Sequence, residues 1–180
     1  NGNKIITTSG GGALVTKSKE NKQRAIFFAT QAKENTVHYE HTEVGYNYRM
    51  SNVAAGIGRG QMEVLSERIN QRRSLNQFYG DLLKSKDGVQ VFKEPSGLFF
   101  SNHWLTALVL GSGLAYTPED LRLELERHNV EARPLWKPMH LQPVFAAFPK
   151  YENGISENLF NSGLCLPSGT NLTDSQKQKI

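Results

Sequence analysis

The chain opens on an amine, three hydroxyls and a run of glycines, Lys4-Ile5-Ile6-Thr7-Thr8-Ser9-Gly10-Gly11-Gly12. An amine attacks a carbonyl only when unprotonated, so a lysine in a partly desolvated setting that lowers its pKa is a useful nucleophile. Small hydroxyl residues and a glycine turn leave room beside it for a planar group. The same residues also suit an ordinary surface lysine, and spacing alone does not decide between the two. Further along, Arg49 is either a binder of an anionic group or a loop salt bridge. Asn47 reads, on its own, as a loop asparagine satisfying its backbone. Arg133, Trp136 and His140 form a third group, because a guanidinium suits phosphate and an indole face suits a sugar or base. Their plainer readings are a surface ion pair, a core aromatic and a hydrogen-bonded histidine, while Trp104 reads as a packing residue of a sheet.

Two other patterns lead away from chemistry. His38, Glu40, His41 and Glu43 crowd one loop but lack the helical spacing of a zinc hydrolase, so they read as exposed polar residues and no metal is expected. Cys165, the single cysteine, sits in Gly163-Leu164-Cys165-Leu166-Pro167 and reads as a buried structural thiol. One cysteine supplies no disulfide framework, which makes a reducing, cytoplasmic compartment the expectation. The net charge of +4 arises from interspersed signs, which argues against a nucleic-acid module. Its densest basic stretch, Arg68 to Arg73, reads as the solvated face of a helix. With 38% hydrophobic and 21% charged residues, the 180-residue chain has the profile of a globular protein with a real core. It has no apolar run of membrane-spanning length. The start, Asn1-Gly2-Asn3-Lys4, has neither an initiator Met nor a signal-peptide core and reads as a cut.

These residues need elements to hold them. Ile5–Thr8 and Ala13–Thr16 read as strands joined by the glycine turn. Ser18 caps a helix running to Thr30. From Gln31 to Tyr48 no period persists, and a long irregular loop is expected, of the kind that often carries function. Ser51 or Asn52 then opens a long helix to about Lys84, its apolar residues falling at three- and four-residue steps. Strands follow at Val89–Phe92 and Trp104–Leu110. Thr117-Pro118-Glu119-Asp120 starts a helix ending near Asn129, before a strand at Val130–Arg133. Three prolines, Pro134, Pro138 and Pro143, keep the next stretch extended. A short helix at Glu157–Phe160, a strand at Leu164–Leu166 and a capped helix from Thr173 complete the chain.

The stretch Asn3 to Thr16 resembles the cofactor-lysine segment of the DegT/DnrJ/EryC1/StrS family of sugar aminotransferases. The likeness continues in order through Gly45-Tyr46-Asn47-Tyr48-Arg49-Met50-Ser51-Asn52, Asn102-His103-Trp104-Leu105-Thr106, Arg133 to Pro143, and Leu164-Cys165-Leu166-Pro167-Ser168-Gly169, covering nearly the whole chain. Many members carry an acid after the first glycine of the glycine segment, and here Ser9-Gly10-Gly11-Gly12 departs from that. The serine form, with the Arg133–Pro143 stretch, is similar to transaminases that aminate UDP-linked 4-keto sugars on the way to bacillosamine-type diamino sugars.

The resemblance implies an α/β fold, namely the C-terminal part of a fold-type I transferase dependent on pyridoxal 5'-phosphate. Residues 1–50 would end the large cofactor-binding domain, 51–86 would form a long connecting helix, and 87–180 a small α+β domain. It implies that Lys4 holds the cofactor and is the catalytic residue, that Asn47 reaches the cofactor phosphate of the neighbouring subunit in a homodimer, and that Arg49, Arg133, Trp136 and His140 contact substrate. The implied reaction moves an amino group, usually from glutamate, to a 4-keto nucleotide sugar in surface-glycan synthesis. Amination of a 3-keto sugar, or a non-catalytic relative acting as a regulator, are the alternatives. In the family the remaining cofactor contacts lie upstream of the lysine, so the fragment alone is expected to be inactive.

Overall fold

The computed structural model describes residues 3–180, and Asn1 and Gly2, where the start was read as a cut, lie outside the described residues. The chain divides into two compact units, one ending at Leu65 and the other spanning Ser66–Ile180.

The unit ending at Leu65 holds helix α1, Lys19–Ala29, with Ser18 Oγ accepting from the Asn21 amide at its N-cap. Beyond it the chain reverses through Gln31 and Ala32, both left-handed at φ 70° and 49°. The returning segment runs alongside: Gln31 N–H donates to Tyr46 O, and the amides of Tyr46 and Tyr48 donate to Phe28 O and Ala29 O. Gly45 is needed there, because a Cβ would lie 2.3 Å from the Ala32 backbone nitrogen and 2.4 Å from the Gln31 carbonyl carbon. Ala32 is the one buried hydrophobic residue among the described residues of this unit.

Two expectations fail here. The runs 5–8 and 13–16 do not pair as a hairpin: Ser9 at φ 69° and Gly11 at φ 124° do not make a two-residue hairpin turn, and Leu14 and Val15 stand 70% and 93% exposed. The long helix is also two, α2 at Asn52–Glu63 and α3 at Leu65–Leu83. Val64 falls between them at φ −109°, ψ 8°. The preceding helix contains Gly56, Gly58 and Gly60, each costing about 1 kcal/mol relative to alanine in a helix interior, so it is weakly held where the β-branched valine ends it.

In the second unit, strands β1 Val89–Val91, β2 Thr106–Leu110, β3 Arg133–Pro134 and β4 Gly163–Leu166 form an antiparallel sheet of order β1-β2-β4-β3. β2 alternates buried and half-buried residues, as a strand with one core face must. β4, lying between β2 and β3, is buried throughout. The core joins Leu75 and Tyr79 of α3 to Leu108, Leu110, Ala132, Leu164 and Leu166. Each fully buried leucine contributes about 2 kcal/mol of transfer free energy. Tyr79 has no exposed surface and its hydroxyl donates to Pro167 O at 2.8 Å, and burial pushes its phenol far above the ordinary value. Asn76 donates to Thr106 Oγ1, and the Thr106 backbone amide donates to Ser168 Oγ, so these polar groups find partners inside the core. Cys165 is buried within β4, and that burial raises its thiol pKa, in keeping with a structural role.

Helix α4, Pro118–Arg127, begins with the expected capping box between Thr117 and Asp120. The strand expected over Val130–Arg133 is reduced to Arg133–Pro134. Asn129 is left-handed at φ 57° and the Val130 amide donates back to Leu125 O, so the first half of that run closes the helix instead of pairing with β4. The proline-rich stretch carries two 3-10 turns, Met139–Leu141 and Pro143–Phe145, ahead of α5, Ile155–Ser162. Helix α6, Asp174–Lys177, has a second capping box, between Thr173 and Gln176. No helix among the described residues is long and apolar enough to cross a membrane.

Candidate active site

The lysine segment is held on α2 by one side chain. Gln61 Oε1 accepts from the Thr7 amide at 2.9 Å while its Nε2 donates to Thr7 O, a two-way clamp that fixes the backbone three residues beyond Lys4. Lys4 itself is exposed. The chain then turns: Thr8 Oγ1 donates to Gly10 O at 2.7 Å and the Ser9 amide donates to Thr7 Oγ1 at 3.3 Å. This turn forms one wall of an open pocket of about 670 Å³ whose other wall is Tyr48, Arg49, Met50 and the start of α2. Ser51 caps that helix by accepting from the Ala54 amide.

The pocket offers hydroxyls from Thr8 and Ser9, backbone from the glycine run, and an exposed guanidinium on Arg49 that has no ion-pair partner among the described residues. That donor set suits an anionic ligand with a flat apolar part. Asn47 is exposed nearby in sequence, its backbone bridged to Thr30. Tyr46 and Tyr48 stack at 5.0 Å.

Each residue of the expected substrate group in the second unit makes contacts of its own. Arg133 is exposed and its Nε donates to Glu131 at 2.7 Å, which is the surface ion pair of its plainer reading. Trp136 is not a core aromatic: it is 64% exposed, its ring 5.8 Å from that of Trp104. The Nε2 of His140 faces two carboxylates, Glu157 at 2.7 Å and Glu152 at 3.3 Å. No hydrogen bond or ion pair joins Arg133 to His140 among the described residues. The loop cluster behaves as expected of polar surface: His41 Nδ1 is at 3.0 Å from Gln31 O, Glu43 pairs with Arg24, and His38 pairs with Glu40.

A partly buried polar network escaped the sequence reading. Arg72 and Arg73 do not belong to a solvated face: Arg72 Nη1 donates to Trp104 O, and Arg73 donates to Glu94 at 2.6 Å and to Ser101 O, its guanidinium 4.4 Å from the Phe100 ring. Glu94 also accepts from the Ser101 amide and faces the Nε2 of buried His103. The Arg73 hydrogen bond, backbone amides and His103 together hold the Glu94 carboxyl down at about 2. Among the described residues Arg72 Nε is buried without a hydrogen-bond partner, and desolvation lowers the pKa of that guanidinium. The nearest signal was the polar and aromatic run before β2, in which Ser101 O accepts from Arg73 and Trp104 O accepts from Arg72.

Comparison with known proteins agrees with this architecture. The profile of the DegT/DnrJ/EryC1/StrS aminotransferase family matches residues 1–180. The chain is 48% identical, over its full length and 47% of the relative's, to EpsN of Bacillus subtilis (strain 168), a provisionally assigned pyridoxal phosphate-dependent aminotransferase. It is 35% identical to GDP-perosamine synthase of Escherichia coli O157:H7, across 97% of this chain and 46% of that one. The aminotransferase TlmJ of Streptoalloteichus hindustanus superposes with a TM-score of 0.86 at 23% identity, over 98% of this chain and 47% of that one. The chain thus spans about half the length of the relatives it matches, and its fold is the α/β C-terminal part of a fold-type I transferase.

Proposed function

The chain belongs to the DegT/DnrJ/EryC1/StrS aminotransferase family, and from that premise we propose that the protein containing it transfers an amino group from glutamate to a 4-keto nucleotide sugar. The observation that carries this reading is the exposed Lys4 amine on a backbone clamped by Gln61, followed directly by the hydroxyl and glycine wall of the Arg49 pocket. The pocket fits the polar parts of pyridoxal 5'-phosphate, with hydroxyls and backbone for polar contacts and a guanidinium for an anion, while Lys4, four residues before Thr8, would supply the amine that holds it.

When bound, that cofactor supplies an electron sink for the carbon that carries nitrogen. In the proposed mechanism Lys4 Nζ would hold the cofactor, and its amine would serve as the base that takes up and returns the reacting proton. Arg49 holds an anionic group of the substrate, and Asn47 meets the cofactor phosphate of the neighbouring subunit in a homodimer. Trp136, largely exposed, offers a face to a sugar or base, and Arg133 stands beside it in the same segment. His140 serves by anchoring that segment through its two carboxylates. We place the enzyme in the cytoplasm, in surface-glycan synthesis, keep the three-part division at 1–50, 51–86 and 87–180 for the parent fold, and expect the 180 residues alone not to turn over.

The sugar is proposed to be UDP-linked, on the serine form of the glycine segment and the Arg133–Pro143 stretch. The 35% identity to a GDP-perosamine synthase favours GDP as the second reading. Assay of the protein with glutamate and UDP-, GDP- and dTDP-linked 4-keto and 3-keto sugars separates these outcomes. The Lys4→Ala variant is expected to lose transamination entirely, and unchanged turnover in it would sink the assignment.

A further inference from the structure

Histidines that meet acids are common on protein surfaces, and this chain has several. His38 meets Glu40 at 3.4 Å with its side chain 74% exposed, and His128 meets Glu124 at 3.4 Å at 63% exposure. His103 meets Glu94 alone, and Arg73 already neutralises that acid. His140 differs from all of these. Its side chain is 15% exposed and its Nε2 faces two carboxylates from different places in the chain, Glu157 in the first turn of α5 and Glu152 in the loop before it. Ligand atoms of the three residues lie within 4.8 Å of one another.

The geometry points to a divalent transition-metal site, of the zinc class, formed by His140 Nε2, Glu152 Oε2 and Glu157 Oε1, with water completing the shell. Zinc takes imidazole nitrogen and carboxylate oxygen at about 2.0 Å in a tetrahedron, which sets donor atoms about 3.3 Å apart. The separations from His140 Nε2, 2.7 and 3.3 Å, need only a small spreading to admit the ion. Two carboxylates and a neutral imidazole carry two negative charges, matching a divalent cation. Lys150 sits 3.0 Å from Oε1 of Glu152, the oxygen the site does not use, and so orients that carboxylate without occupying the centre. One nitrogen and two oxygens are the wrong set for magnesium or calcium, which take six or more oxygens. An ion there joins the Met139–Leu141 turn to α5 and fixes the ends of the proline-rich segment that presents Trp136.

The rival arrangement is His140 paired directly with the same acids and no ion between them. The two differ in whether a divalent ion binds saturably at these three residues. The test is a titration of the chelator-stripped protein with zinc at pH 7.5, using calorimetry with a competing chelator, and with cobalt for its visible bands. One equivalent is expected to bind and to raise the melting temperature. His140→Asn and Glu157→Gln should each weaken binding by more than about 100-fold, since even an outer-shell change costs 10- to 100-fold. His128→Asn should change nothing. Circular dichroism checks that each variant is folded, and the cobalt bands of the unmutated protein, expected to be those of a four-coordinate nitrogen and oxygen site, test the site without any variant. Absence of saturable binding, or binding indifferent to His140→Asn and Glu157→Gln in folded protein, would overturn the assignment in favour of the direct ion pairs, and six-coordinate cobalt bands would overturn the four-coordinate site.

Discussion

Within the run Gly10-Gly11-Gly12 the three glycines are not equivalent, and alanine at each should separate them. Gly11 has φ 124°, where a side chain is strained, and a Cβ there would stand 2.7 Å from Met50 Cε. Gly10 and Gly12 are not left-handed, and a Cβ on either meets no atom within 4 Å. The methionine tip can move, so the strain in Gly11→Ala comes mainly from the backbone, about 1–3 kcal/mol for a non-glycine residue at such dihedrals. That strain depopulates the turn that walls the Arg49 pocket, and a ligand needing the turn then binds more weakly in proportion. The dissociation constant for pyridoxal 5'-phosphate should therefore rise about 5- to 150-fold in Gly11→Ala, and less than about twofold in Gly10→Ala or Gly12→Ala. Titration of cofactor-free protein containing this chain, followed by visible absorbance, measures all three. Equal losses at the three positions, or wild-type affinity in Gly11→Ala, would refute the reasoning.

Other consequences can be measured separately. Tyr79→Phe leaves Pro167 O without its donor and should destabilise the second unit by about 1–3 kcal/mol, whereas Tyr79→Ala should cost about 3–5 kcal/mol. Urea unfolding followed by tryptophan fluorescence reports this unit alone among the described residues, since Trp104 and Trp136 both lie in it. Glu94 has its folded pKa lowered to about 2, so its contribution is present above the ordinary glutamate value of 4.5 and is lost as pH falls from there through 2. Glu94→Gln should therefore flatten the acid limb of the stability curve in that window, and an unchanged limb would argue against the Arg73 pairing. Mixing Lys4→Ala with Asn47→Ala protein should restore about a quarter of wild-type activity, because half the dimers are mixed and each mixed dimer has one intact site. Inactive mixtures, given subunit exchange, would argue against a shared site.

Local signals carried much of the fold. Caps at Ser18, Thr117 and Thr173 are side-chain hydrogen bonds made within three residues, and all three form where their spacing demands. β2 and β4 were legible because their apolar runs are long enough to need burial. Long-range competition was not legible. The Val130 amide had two possible acceptors, a strand and a helix end, and periodicity does not rank them. The break at Val64 was hidden because apolar spacing continues straight through it. Within the candidate site, the lysine and its glycine turn were visible as a motif. The Gln61 clamp was not, since it joins residues 54 apart through a side chain with no distinguishing neighbours. His140 was visible, but its two acids, 12 and 17 residues away at no helical interval, were not.

Burial is distributed unevenly between the units, and this sets two clocks. Leu164 and Leu108 are sealed in a paired sheet, so their amides exchange with solvent only when the whole second unit opens. The amides of α1, on a helix with no buried residue, exchange through fraying of a turn or two. In deuterated water α1 of these 180 residues alone should become labelled while β4 remains protonated, so the strand records the lifetime of the second unit and the helix records local fraying.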